Sequence, residues 1–462
     1  MTSLDILVVV LYFVVLIGIG FSSMKRIANE EDYLVAGRRL GYGLFIPAIA
    51  AVVLGGASTF GSSSLGYEHG ISGMWLVVMI GLGLIGMGIL FSKKLSEYHV
   101  YSVSELLGRR FGLSSRYISA AIMAVYDMMV SVTAMISMGV LFTTMFGWPH
   151  VIAICVGGAI LVLYTTLGGM WAVTLTDVIQ FWVMTVGLLL LVLPMGFFEV
   201  GGMEGLRAHL PADYFRMTHI GGKVIFSYFL LYFFGMMIGQ DIWQRAFTAR
   251  NKQTLRNGTV WGGIYCIGYG IAGAVIGMTA KVLFPHLQDP QQALPQLATE
   301  VLPPGWLGLV IAAVASAVMS TASGTLMASA TIIANDLLPR GSSEKHQIRL
   351  TRVVTLLIGT TAVIISLAIQ NIVVALNVAY ALLTGSVFIP VIAALFWKRV
   401  TAQVTLASML ISAGVVITDL MIEGISSLNP ILYGLLSCAV VMAAGTYFST
   451  KKESATDHQQ TM

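Results

Sequence analysis

Residues 48–66, AIAAVVLGGASTFGSSSLG, decide how the rest of the chain is read. They begin as an apolar run and turn at Gly55 into a tract of glycine and small hydroxyl residues, inside a longer run over 42–68. A helix crossing lipid satisfies its own backbone, so a protein that grips an ion in mid-membrane needs a place where carbonyls and helix ends are freed. Gly55, Gly56, Ser58, Thr59, Gly61, Ser62, Ser63, Ser64 and Gly66 mark such a place, midway in a run long for one straight helix. Small residues also let two helices pack closely, and composition alone leaves the two readings level.

Outward from that stretch the chain is apolar nearly end to end. Of its 462 residues 57% are hydrophobic and only 10% charged, and the mean hydropathy is +0.87, so a water-facing surface of ordinary polarity cannot be assembled. Runs of about 20 apolar residues, the length that crosses a bilayer, recur near residues 4–22, 42–68, 72–92, 117–144, 149–166, 171–198, 223–242, 258–283, 306–335, 351–369, 374–397, 402–421 and 429–448. The reading is an all-α integral membrane protein of thirteen transmembrane helices. The first run has neither a basic start nor a small-residue cleavage site and is kept as a span. The net charge of +4 matters less than its placement. With the amino terminus outside, only Arg207, Arg216, Lys223 and Lys281 of the 25 lysines and arginines lie outside; the rest, Arg245 among them, fall on the cytoplasmic side, which orients the carboxyl terminus inward. Residues 101–116, YSVSELLGRRFGLSSR, are too polar to span and read as an interfacial helix. The polar tail after Lys452 reads as unstructured, and Cys155, Cys266 and Cys438 as packing residues.

Two further features carry chemistry. Residues 317–325, AVMSTASGT, place hydroxyls at helical spacing in the ninth run; serine and threonine there commonly bond back to their own helix, but with freed carbonyls they would also offer the hard oxygen donors a sodium ion prefers. Acids inside spans are costly and usually functional. Asp177, in TDVIQ, is the strongest of these and Asp127 lies deeper, while Asp241 and Asp419 sit near span ends, within reach of headgroups. No positive residue is expected at comparable depth to neutralise Asp127 or Asp177. There is no nucleophile–base pair and no metal-ligand spacing of His or Cys, so an enzyme is the poorest reading. Nothing points to nucleic acid, and oligomeric state is not legible.

The order of motifs resembles the sodium:solute symporter family over about residues 32–399. It rests on DYLVAGRRLG (32–41), the small-residue break, GGMWAVTLTDVIQ (168–180), QDIWQRAFTARN (240–251), AVMSTASG (317–324) and ALFWKR (394–399). The resemblance implies a LeuT-type fold with two inverted five-helix repeats, at 42–198 and 223–397. Around them lie an extra helix with a cytoplasmic linker (1–41), an external loop (199–222), two further spans (398–450) and a cytoplasmic tail (451–462). It places Na⁺ on the carbonyls of Ala51, Leu54 and Ala317 and the hydroxyls of Ser320 and Thr321. A second sodium, or a release path, would involve Asp177 and Ser323; Gly324 stands where two-sodium relatives carry a hydroxyl, which favours one ion. Solute contacts fall on Ser58, Thr59, Gln240, Asn377 and Tyr380, and the apolar third run makes a sugar less expected than a carboxylate or amino acid. The function implied is sodium-coupled symport of a small organic solute at the plasma (inner) membrane, in contact with lipid. A proton-coupled carrier or a non-transporting sensor on the same fold are the alternatives.

Overall fold

The computed structural model describes residues 2–23, 29–98, 100–339, 343–397 and 399–460. Among them there is no strand, only one parallel bridge between Leu40 and Ala249. The chain opens with α1 (Ser3–Ser23) and the short α2 (Glu30–Val35), whose first turn is capped by the Asn29 side chain accepting from Asp32 N at 2.8 Å. The decisive run becomes two helices, α3 (Tyr42–Val53) and α4 (Gly56–His69), and α5 (Trp75–Leu90) follows across a single turn that Gly70 opens with a positive φ. After α6 (Ser92–Glu97) comes the amphipathic α7 (Val103–Phe111). It is shorter than the interfacial helix expected over 101–116, because Gly112, at φ 87°, ends it and α8 (Leu113–Phe146) starts at once.

Two long apolar runs then fuse end to end in α9 (His150–Met184), with a sharp kink at Gly169 (φ 64°, ψ 175°), before α10 (Leu193–Glu199). A loop carrying α11 (Gly202–His209) leads to α12 (Gly222–Tyr228), α13 (Phe234–Ile238) and α14 (Gln240–Ala246). The remainder is α15 (Lys252–Leu283), α16 (Ala293–Val301), α17 (Trp306–Ile332), α18 (Glu344–Ala368), α19 (Ile372–Phe396), α20 (Ala402–Glu423) and α21 (Asn429–Gln460). The last helix runs on to Gln460, through the tail read from sequence as unstructured. Lys398 of ALFWKR lies outside the described residues.

Nine helices among the described residues are long and apolar enough to cross a membrane, or ten if the bent pair Gly222–Ile238 and Gln240–Ala246 is one span. Length and composition therefore do not return thirteen. Gly56–Leu90 counts as one 35-residue helix, and Tyr42–Val53 is too short to count alone. Large side chains such as Leu163, Trp182, Leu190, Trp261, Leu357 and Leu436 point outward from these helices, the surface expected where lipid replaces water.

The centre belongs to α17, the most enclosed spanning helix, which packs on α8 and α9 and reaches α3, α4 and α14. Asp5 of α1 ties down its amino end, its Oδ1 accepting from Gly305 N and Gly308 N at 2.9 Å each. On the other side α15 lies against α4 and α5 at backbone contact. A Cβ added at Gly66 would sit 2.4 Å from the Ala274 carbonyl oxygen, and one at Gly277 would sit 2.1 Å from that of Ser63. The distal half of the glycine and serine tract is thus a packing face, while its first residues do something else.

Candidate functional site

Those first residues interrupt the span. α3 stops at Val53, Leu54 (φ −90°, ψ 53°) and Gly55 (φ −78°, ψ −164°) leave helical geometry, and α4 starts at Gly56, all of it buried. Interruption strips the last carbonyls of α3 of their helical donors, and hydroxyls from α17 and α4 replace them. Ser320 Oγ donates to the Ala51 carbonyl at 2.9 Å and also reaches that of Ala317 at 3.0 Å. Thr321 Oγ1 donates to Val52 at 2.6 Å, and Ser58 Oγ to Val53 at 2.8 Å. Gly55 is what lets Thr321 approach, since a Cβ there would lie 2.2 Å from Thr321 Oγ1. Ala51, Ala317, Ser320 and Thr321 are thus brought together and Leu54 stands at the break itself. Val52, absent from the residues named by sequence, is the carbonyl that Thr321 meets.

A second interruption faces the first. Gly239 (φ −56°, ψ 131°) separates α13 from α14 with a bend of 42°. Immediately after it, the buried Gln240 bonds to the start of α7: its Oε1 accepts from Val103 N at 2.9 Å and its Nε2 donates to the Tyr101 carbonyl at 3.0 Å, so it clamps that helix. Asp241 takes the opposite direction. It was placed near headgroups from the sequence, but it is 3% exposed and its Oδ1 accepts from Tyr126 OH at 3.3 Å. The bend explains the correction, because the residues after Gly239 no longer follow the helical register of those before it.

Between the two breaks lies a narrow cavity of about 20 Å³, lined by Val52, Val53, Gly55 and Ser58 from one side and by Met236, Asp241, Thr321, Leu376 and Tyr380 among others. Of the five solute residues expected, Ser58 and Tyr380 line it. Gln240 does not. Thr59 is bonded to Tyr269 OH at 2.8 Å and borders a separate apolar space with Ser63 and Leu188. Asn377 does not line the cavity either, and its side-chain oxygen accepts from Tyr232 OH. Sequence reasoning missed Asp241 as a lining residue; an acid two positions after the glycine of a broken span was the available signal.

Asp177 is not alone at depth. Arg245 Nη2 donates to its Oδ2 at 2.9 Å, and both side chains are almost wholly enclosed. This overturns the reading that no positive residue stands at that depth, and it places Arg245 inside the protein and not on its surface. The guanidinium fits because residue 324 is glycine: a Cβ there would lie 2.7 Å from Arg245 Nη2 and from Val52 Cγ2. Ser323 Oγ bonds back to the Ser320 carbonyl at 3.2 Å, in the manner usual for membrane helices. Asp127 on α8 is fully enclosed, and neither carboxylate oxygen has a hydrogen-bond partner among the described residues.

Residues 33–412 match the model of the sodium:solute symporter family. The chain belongs to that family. Relatives include the high-affinity proline transporter PutP of Bacillus subtilis (strain 168), 27% identical over 96% of this chain and 99% of the relative. The sodium/pantothenate symporter of Escherichia coli (strain K12) is 25% identical over 98% of each. Among solved structures, a Na⁺-coupled sialic acid symporter in a substrate-bound outward-open state superposes with a TM-score of 0.80 at 18% identity, covering 97% of this chain and 98% of that one. Mhp1, a nucleobase-cation-symport-1 family transporter, gives 0.55 at 15% identity over 91% and 95%. At such identities the likeness establishes a shared transporter fold. The relatives are membrane transporters, so this family member is a transport protein and not an enzyme, and sodium is the coupling ion its family implies.

Proposed function

We propose that this chain imports a small organic solute, a carboxylate, amino acid or similar nutrient, across the plasma membrane by symport with Na⁺. The scaffold we assign is thirteen spans around two inverted five-helix repeats at 42–198 and 223–397, with the amino terminus outside and the carboxyl terminus in the cytoplasm. One observation carries the reading. The hydroxyls of Ser320 and Thr321 are held against carbonyls that a broken helix has set free, an all-oxygen donor set suited to a small hard cation.

The hydroxyl protons now bridge to Ala51 and Val52. Admitting sodium means turning those hydroxyl lone pairs and the Ala51, Leu54 and Ala317 carbonyls toward the ion, at a loss of about 1 kcal/mol for each hydrogen bond given up. The ion then cross-links the break to α17, fixing the wall of the cavity in which Ser58 and Tyr380 meet the solute. Each ligand thereby favours the other by the same factor. Inward release is helped by the membrane potential, worth about 2.3 kcal/mol per charge per 100 mV. Asp177 and Ser323 are assigned to the path by which the ion leaves, with Arg245 as the group the ion must pass; Gly324, filled by that guanidinium, favours one sodium per cycle.

Asp127 and Asp241 keep one rival in view, since buried carboxylates could carry a proton instead. Purified protein in sealed vesicles separates the two. Accumulation driven by an imposed sodium gradient at constant pH is expected; accumulation driven by a pH gradient without sodium would replace this reading.

A further inference from the structure

The cavity between the breaks has a charge that the sodium shell does not use. We propose that Asp241 is the counter-charge for a protonated nitrogen on the solute, so that the cargo is a small amine or amino acid and not a nitrogen-free acid. The proposal rests on the symport reading and sharpens its substrate class.

Three observations carry it. Asp241 lines the cavity together with Ser58, Thr321, Met236, Leu376 and Tyr380, and no lysine, arginine or histidine lines it. Its carboxylate is 3% exposed yet has one side-chain donor, the Tyr126 hydroxyl, at a long 3.3 Å. The nearest basic side chain, Arg245, lies one turn further along α14 and is engaged by Asp177 at 2.9 Å. Asp127 of α8, a second enclosed carboxylate, lies close enough to Asp241 for the two charges to repel. One guanidinium, Arg245, thus stands against three enclosed carboxylates, Asp127, Asp177 and Asp241, and leaves Asp241 only partly compensated. Bringing an anion into that space adds repulsion in a low-dielectric setting, whereas an ammonium supplies the missing partner. The wall agrees with this choice. The Tyr380 ring borders the cavity, held edge-on by Tyr126 at 5.1 Å and Tyr232 at 5.2 Å between centroids. An aromatic face so fixed attracts a cationic nitrogen, and the remaining lining of Met236, Leu376 and valines suits a compact apolar body.

The test uses the purified full chain in vesicles with an inward sodium gradient. The vesicles receive a deproteinised bacterial metabolite extract supplemented with matched pairs: proline and tetrahydrofuran-2-carboxylate, alanine and lactate, putrescine and 1,4-butanediol, plus pantothenate. Vesicle contents are read by mass spectrometry. The expected result is that every accumulated solute carries a protonated nitrogen. Asp241→Asn, which keeps the shape and the Tyr126 contact, should lower the preference for the amine over its nitrogen-free counterpart roughly tenfold or more, and Asp241→Glu should restore part of it. A merely structural role would depress both members of a pair alike. Accumulation of pantothenate, lactate or any other solute without a protonated nitrogen overturns the proposal and leaves symport standing, as does an unchanged preference in Asp241→Asn. Accumulation of nothing from either source counts against symport itself, and this proposal falls with it.

Discussion

The two interrupted helices face one cavity but are held open in different ways. At the first, between α3 and α4, neutral groups do the holding: serine and threonine hydroxyls against the carbonyls of Ala51, Val52 and Val53. At the second, between α13 and α14, charged and amide groups take over, with Gln240 clamping Tyr101 and Val103, Asp241 against Tyr126 and Arg245 against Asp177. The neutral break can exchange partners cheaply, because each hydroxyl bond has a net worth of about 1 kcal/mol. The charged break cannot, since removing one member of a buried ion pair strands the other. The first is therefore built to exchange partners with an ion, and the second to hold fixed the charged groups, Asp241 among them, that face the binding space.

The contrast can be broken most violently at Arg245. Arg245→Gln should destabilise the protein by about 3–5 kcal/mol, read as a large fall in the detergent melting temperature, because Asp177 is left as an uncompensated buried charge. Adding Asp177→Asn should return most of the loss; a single variant as stable as the parent would show the second break to be as loosely held as the first. Next comes Gly55→Ala. Its Cβ would lie 2.2 Å from Thr321 Oγ1 and 2.6 Å from Thr321 Cβ, an overpacking cost of about 3 kcal/mol. That variant should also weaken sodium stabilisation in a thermal-shift titration, because the hydroxyl is pushed off the break. The smallest effect belongs to Gln240→Met, which leaves the buried Val103 N–H without its acceptor at a cost of about 2 kcal/mol. Sodium dependence should be untouched there; a shift would mean that the clamp belongs to the binding site after all.

Much of the first break was legible because its cause is local. Gly55 and Gly56 sit where an apolar run meets hydroxyl residues, and Ser320 and Thr321 recur at helical spacing in a run of their own, so freed carbonyls and facing alcohols could be paired on paper. The second break was less readable because its outcome depends on distant partners. Arg245 looks cytoplasmic by its place near a span end, and only Asp177, 68 residues away in sequence, and the empty side of Gly324 draw it inward. Gln240 and Asp241 are neighbours with opposite fates, decided by the φ and ψ of Gly239, which no periodicity reports. Counting spans by helix length falls short of thirteen for a related reason. Runs separated by a single turn, such as the one at Gly70, remain one helix by length, and a run broken in the middle becomes two short ones.

The most direct test of the central claim is a sodium titration of the purified protein without solute, followed by thermal stabilisation, in the parent and in Ser320→Ala and Thr321→Ala. If sodium lies between α3 and α17, both variants should need roughly tenfold more sodium for half-maximal stabilisation, about 1.4 kcal/mol, while potassium stabilises none of the three. Parent and variants titrating alike would contradict the account.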